Sequence, residues 1–134
     1  MAATQATEMS VPCIHYLRRD IGEADEGGGA LTVGVLPARA IVVTAGVIVS
    51  TAFNGTSPIV QIGTSGDADG FATNLALGTI GNIVWDELAT SNDLYSTSEV
   101  TVTCTTTATG NDSTAGYGSV YVGFIPYNGN GRAS

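Results

Sequence analysis

Lysine is absent from this chain, histidine occurs once, and charged residues make up 12% of its 134 residues, about half the usual ~25%. Four arginines against twelve acidic residues leave a formal charge of −8 at pH 7. That balance opposes contact with nucleic acid and with anionic lipid head groups, so neither a nucleic acid nor a membrane is expected as a partner. Long apolar runs are missing as well, and nothing approaches the ~20 consecutive apolar residues of a membrane-spanning helix. The opening residues, MAATQATEMS, lack a basic start followed by an apolar core. No secretory signal is therefore expected, and the chain reads as soluble and made in the cytoplasm.

Chemistry-bearing residues are equally sparse. Cys13 and Cys104 sit at alternating apolar positions without CxxC or Cys/His spacing, so buried free thiols are expected in preference to a disulfide or zinc ligands. His15 has Ser10 and Cys13 near it in sequence, yet on a strand Cys13 and His15 lie roughly 6–7 Å apart on one face. No orienting acid accompanies them, so the histidine reads as structural. Asp86 and Glu87 are adjacent and on a strand would face opposite ways, which is not the geometry of a glycosidase pair. Asn54-Gly55-Thr56 matches a glycosylation triplet that has no meaning without secretion. In GTSGDADG, Asp67 and Asp69 supply part of a calcium loop, but the third acidic ligand and the closing glutamate are missing, so an acidic surface turn is expected. No catalytic, cofactor-binding or metal-binding residue is assigned.

What remains is β-forming sequence punctuated by glycine. Eighteen glycines amount to about 13% of the chain against a typical ~7%. The longest β-like run is Ala40–Ala52, which places Ile41, Val43, Ala45, Val47 and Val49 on one side of a pleat and Val42, Thr44, Gly46 and Ile48 on the other. Both sides are largely apolar, which suits a strand covered by a second sheet on one face and by a neighbouring subunit on the other. Asn54-Gly55-Thr56-Ser57-Pro58 breaks the run before Ile59, Val60 and Ile62 resume it, and a hairpin-like reversal is expected there.

Further strands are expected at 11–19, with Pro12 favouring an edge position, at 30–36 ending on Pro37, within 78–86, briefly around Tyr95, at 98–107 and at 119–127. Residues 72–77 are ambiguous between strand and helical turn. Asp20–Gly29, with four acids and four glycines, has the composition of a mobile exposed loop, and 108–118 that of a glycine-rich loop. About eight strands and almost no helix argue for an all-β fold, an antiparallel β-sandwich with jelly-roll or Greek-key winding. The expected organisation is a flexible N-terminal arm over 1–10, a single β-sandwich domain over 11–127, and a flexible C-terminal tail over 128–134. Trp85, Tyr16, Tyr95, Tyr117, Tyr121 and Tyr127 could line a sugar-binding groove, although core and subunit packing explain them more simply.

Leu36-Pro37-Ala38, the turn Ala52 to Gly55, the loop Ile62 to Ala72 and the approach Ser113 to Gly118 to the last strand together resemble small structural proteins of tailed bacteriophages. The likeness spans some two thirds of the chain and stops short of the segment before Ala30. It implies a virion component without enzymatic activity, a capsid decoration or cement protein on the head surface, whose partner is the major capsid protein. Self-association is implied too, with a homotrimer favoured and a dimer or monomer left open, and synthesis in the host cytoplasm. The arm Met1–Ser10 and the loop Asp20–Gly29 are the expected capsid contacts. The alternative is a tail, collar or fibre-tip module that binds a host-surface carbohydrate through Tyr117 or Trp85.

Overall fold

The computed structural model describes residues 13–85 and 96–126. Within them run β1 (His15–Gly22), β2 (Ala30–Leu36), β3 (Ile41–Thr51), β4 (Ile59–Thr64), β5 (Ala72–Ala76), β6 (Gly81–Val84), β7 (Val100–Thr107) and β8 (Tyr117–Ile125), with a 3-10 turn at Glu23–Asp25. The expected arm over Met1–Ser10, the tail over Asn128–Ser134, the strand around Tyr95 and the pair Asp86-Glu87 lie outside the described residues.

Two four-stranded antiparallel sheets result, ordered β1-β8-β3-β6 and β2-β7-β4-β5. The pairing is nested: β1 with β8, β2 with β7, β3 with β6 and β4 with β5. Successive pairs fall in opposite sheets, as though one long ribbon had been rolled up, and the β3–β8 and β4–β7 ladders join the pairs within each sheet. The chain is thus an all-β antiparallel sandwich, as its turn spacing implied.

Alternation fills the space between the sheets. Val42, Ala45, Val47 and Val49 of β3 face Val60 and Ile62 of β4 and Val102 and Cys104 of β7, with Val120, Val122 and Phe124 of β8 completing the layer. Each such side chain contributes on the order of 1.5–3 kcal/mol when withdrawn from water. Simple period two fails at several register shifts, two of which decide what is buried. Val43 is the extra residue between Val42 and Thr44 opposite β8, and Val33 the extra residue between Thr32 and Gly34 opposite β7. Each insertion exchanges the faces beyond it. Ile41 and Val43, expected on one side with Ala45, Val47 and Val49, are therefore exposed, and Val35 is exposed too, whereas Val42 and Leu36 are buried.

Three further expectations are corrected. β3 and β4 belong to different sheets, so residues 52–58 form a crossover and not a hairpin. Phe53 drops into the core there, and the polar atoms of the turn bond to the loop 109–115 instead of closing a ladder. Asp20–Gly29 is not an open loop: Asp20, Ile21 and Gly22 complete β1, and Ile21 is only 1% exposed. Cys13 is exposed, while Cys104 is buried as expected; both thiols are free. Cys13 precedes the first residue of an edge strand, so no neighbouring strand covers it.

Candidate interaction surfaces

The outer face of the β1-β8-β3-β6 sheet is built on two glycines. A Cβ on Gly123 would lie 2.6 Å from Thr44 Cγ2 and 2.9 Å from Tyr16 Cε1, and one on Gly46 would lie 2.6 Å from the Tyr121 hydroxyl and from the Ile83 carbonyl. The Tyr16 and Tyr121 rings therefore lie down over bare backbone and meet edge to face, with centroids 6.1 Å apart. Around them is a shallow concavity of about 500 Å3, floored by Thr44 and Ile48 and rimmed by Arg18, Asn82, Val84 and Ser119. Ile14, Ile41, Val43, Ile48 and Val84 are all exposed on or beside this face, and Tyr117 stands at one end of it.

The polar groups of the face are bonded to one another. Tyr121 donates to Asn82 Oδ1 at 2.7 Å, Ser119 donates to Asp20 Oδ1 at 2.6 Å, Tyr117 donates to Asp20 Oδ2 at 2.8 Å, and Arg18 Nη2 donates to Ser119 at 3.0 Å. Arg18 Nε also lies 3.8 Å from Asp20, an exposed pair that contributes little by itself. The hydrogen bond from Ser119, and after it that from Tyr117, holds the Asp20 carboxyl below the ordinary carboxylate range. The same bond raises the Tyr117 phenol, and burial raises that of Tyr121.

A second surface is the end of the sandwich formed by the segments after β1, β3 and β7. Glu26 accepts from the Ser113 N–H at 2.6 Å and from its hydroxyl at 2.8 Å, and that hydroxyl accepts from the Gly55 N–H at 2.8 Å. Asn54 Oδ1 accepts from the N–H groups of Thr114 and Ala115, and Thr56 N–H donates to the Asn111 carbonyl. Gly27 N–H donates to the Thr106 carbonyl, and Gly22 N–H to the Asp25 carboxylate. Composition alone gives no hint of this order, because Glu26, Asn54 and Ser113 find their partners far away in sequence.

Other singled-out residues are placed as follows. His15 packs its ring against Phe124, with centroids 5.7 Å apart. Asp67 and Asp69 lie in a surface turn closed by Thr64 N–H to the Asp67 carbonyl and its reciprocal bond, with Thr73 donating to Asp69. Among the described residues no group of three metal-ligating side chains comes together. Trp85 packs against the core, so of the aromatics only Tyr16, Tyr117 and Tyr121 reach the outer face; Tyr95 and Tyr127 lie outside the described residues. The sequence reading missed the pairing of Tyr16 with Tyr121. Their signal was the glycine opposite each ring, readable only once the register Tyr16↔Gly123 and Gly46↔Tyr121 is known.

No family model matches the chain, and no curated protein matches it. Among solved structures, a chain of the cyanophage Pam1 capsid asymmetric unit is similar in fold, with a TM-score of 0.67 over 95% of this chain and 94% of that chain. Sequence identity between the two is 16%, a level at which the likeness speaks for the fold alone.

Proposed function

We propose that this chain is a structural protein of a bacteriophage virion, and within the virion a capsid decoration protein that binds the outside of the head and stabilises it. The observation that carries the proposal is the end-to-end likeness in fold to a chain of a phage capsid asymmetric unit, with almost nothing left over on either side. The sequence pattern at Leu36–Ala38, Ile62–Ala72 and Ser113–Gly118 supports it independently. On this reading the nested pairing is a jelly roll, the major capsid protein is the partner, and the chain acts by adhesion and transforms no substrate. Many weak contacts repeated over a shell add up, so no single contact has to be strong.

The shell contact is assigned to the acidic turn after β1, residues 23–29, together with the arm Met1–Ser10. That turn is tied down by Glu26 and Ser113, so little ordering entropy is lost when it docks. For the carbohydrate alternative, Trp85 is turned to the core and the Tyr117 hydroxyl is committed to Asp20, which leaves neither poised for a sugar. The test is to assemble heads without this chain and heat them with and without it added back. Added protein should raise the temperature at which the heads rupture. Equal rupture temperatures would defeat the cementing role.

A further inference from the structure

We infer that the outer face of the β1-β8-β3-β6 sheet is where a second copy of this chain docks. Nine large apolar side chains are exposed among the described residues; all but Val35 and Ile80 belong to this face or its border. The four strands span on the order of 500 Å2 in projection, taking strand spacing and rise together. The largest apolar patch on a soluble protein is typically of about this size and is often a binding surface. Side-chain relief raises the accessible area further, toward the ~800 Å2 per partner of a standard interface.

Charge selects the occupant. Among the described residues, Arg18 and Asp20 are the only charged residues on the outer face of this sheet and they cancel, in a chain that carries −8 overall. The other described acids, Glu23, Asp25, Glu26, Asp67, Asp69, Glu99 and Asp112, fall outside the strands. A basic partner would be drawn to those loops and away from this face. Two copies of a strongly acidic chain, in contrast, approach with least repulsion where each is neutral. Arg18 of one copy can then face Asp20 of another.

Hydrogen bonding separates a protein occupant from a sugar. Tyr121 with Asn82, Ser119 and Tyr117 with Asp20, and Arg18 with Ser119 already answer one another within the face. A surface whose polar atoms are paired internally can be dried by apolar contact without stranding donors or acceptors. A saccharide site needs those groups free. The flattened tyrosines also level the surface for a broad contact instead of a narrow cleft.

The test is made on the isolated full-length chain, so its outcome does not depend on the capsid proposal and needs no heads. Sedimentation velocity at about 50 µM should give a mass of two or more chains for the native protein. Val84→Arg and Ile48→Arg should each reduce it to that of a single chain, with an unchanged far-ultraviolet circular dichroism spectrum. Val35→Arg, on the outer face of the other sheet, should leave the native mass in place. Tyr16→Glu provides a third variant on the same face, should either arginine variant fail to fold. A native protein that sediments as a single chain overturns the inference, as does a native mass retained by folded face variants. Loss of head binding or of saccharide binding in Val84→Arg, with a single-chain native protein, would assign the face to the shell or to a sugar and overturn it too.

Discussion

The carboxylate of Glu26 holds both the backbone N–H and the hydroxyl of Ser113, at 2.6 and 2.8 Å, across 87 residues of sequence. These bonds join the turn after β1 to the loop before β8, and Ser113 passes the connection on to Gly55 in the crossover between the sheets. One half-buried acid thereby fixes three segments that composition alone would leave loose.

Removing that acid should be costly. Charge-assisted hydrogen bonds are about twice as strong as neutral ones, and Glu26→Ala leaves two donors of a buried serine unanswered. A loss of about 2 kcal/mol is expected, seen as a fall of roughly 6–10 °C in Tm. Ser113→Ala should cost less, and the double variant less than the two singles added, because each single strands the other's partner. Additive losses in thermal melts would mean the two residues act independently.

Gly46 should resist substitution. Its missing Cβ leaves room for the Tyr121 hydroxyl and sits against the Ile83 carbonyl, both 2.6 Å from where a methyl would be, and the second is backbone of the neighbouring strand. Gly46→Ala must therefore shift Tyr121 off Asn82 or push β6 away, at a cost of about 1–3 kcal/mol. Gly66→Ala, in a turn with nothing near the added carbon, should stay within about 0.5 kcal/mol of the native chain. Urea titration of the pair checks the contrast.

Asp20 and Tyr117 should shape the two limbs of the stability profile in opposite senses. The folded-state pKa of Asp20 lies below its unfolded value, so its contribution is full above about pH 4 and is lost as pH falls through the folded value. Tyr117 is raised, so its contribution is full below about pH 10 and is lost as pH climbs through the folded value. Asp20→Asn should flatten the acid limb and Tyr117→Phe the alkaline one. Urea midpoints measured across pH would contradict this if each variant kept the native slope.

Burial pushes the Cys104 thiol up to about 11 from an ordinary 9.0. In a Cys13→Ser background no thiol should react with a disulfide reagent at pH 8, and one should react after unfolding in guanidinium. The neutral thiol also stabilises the fold below about pH 9, an advantage lost as pH rises through about 11. Reaction of the folded variant at the rate of a free thiol would show that the core opens at β7.

Much of the fold is legible in the residues. The strand expected at 30–36 is β2 to the residue, Cys104 is buried as expected, and Pro12 precedes a strand that does lie at a sheet edge. The apolar character of both sides of β3 is real: one side meets the other sheet and the other remains open. Bulges were not legible, because an extra residue changes which side faces inward without changing which residues are apolar. The crossover at Asn54-Gly55 was misread for a related reason. Turn-forming residues signal that the chain bends and do not say whether the next strand joins the same sheet. The ordered acidic turn could not be found from sequence, since Glu26 looks like any surface glutamate until Ser113 is brought beside it.

The most direct measurement is an electron cryomicroscopy reconstruction of the virion, compared with one that lacks this chain. A decoration protein gives difference density in many symmetry-related copies on the outer surface of the head, each matching the two-layered β unit. Density confined to the tail, or no density in the virion at all, contradicts it.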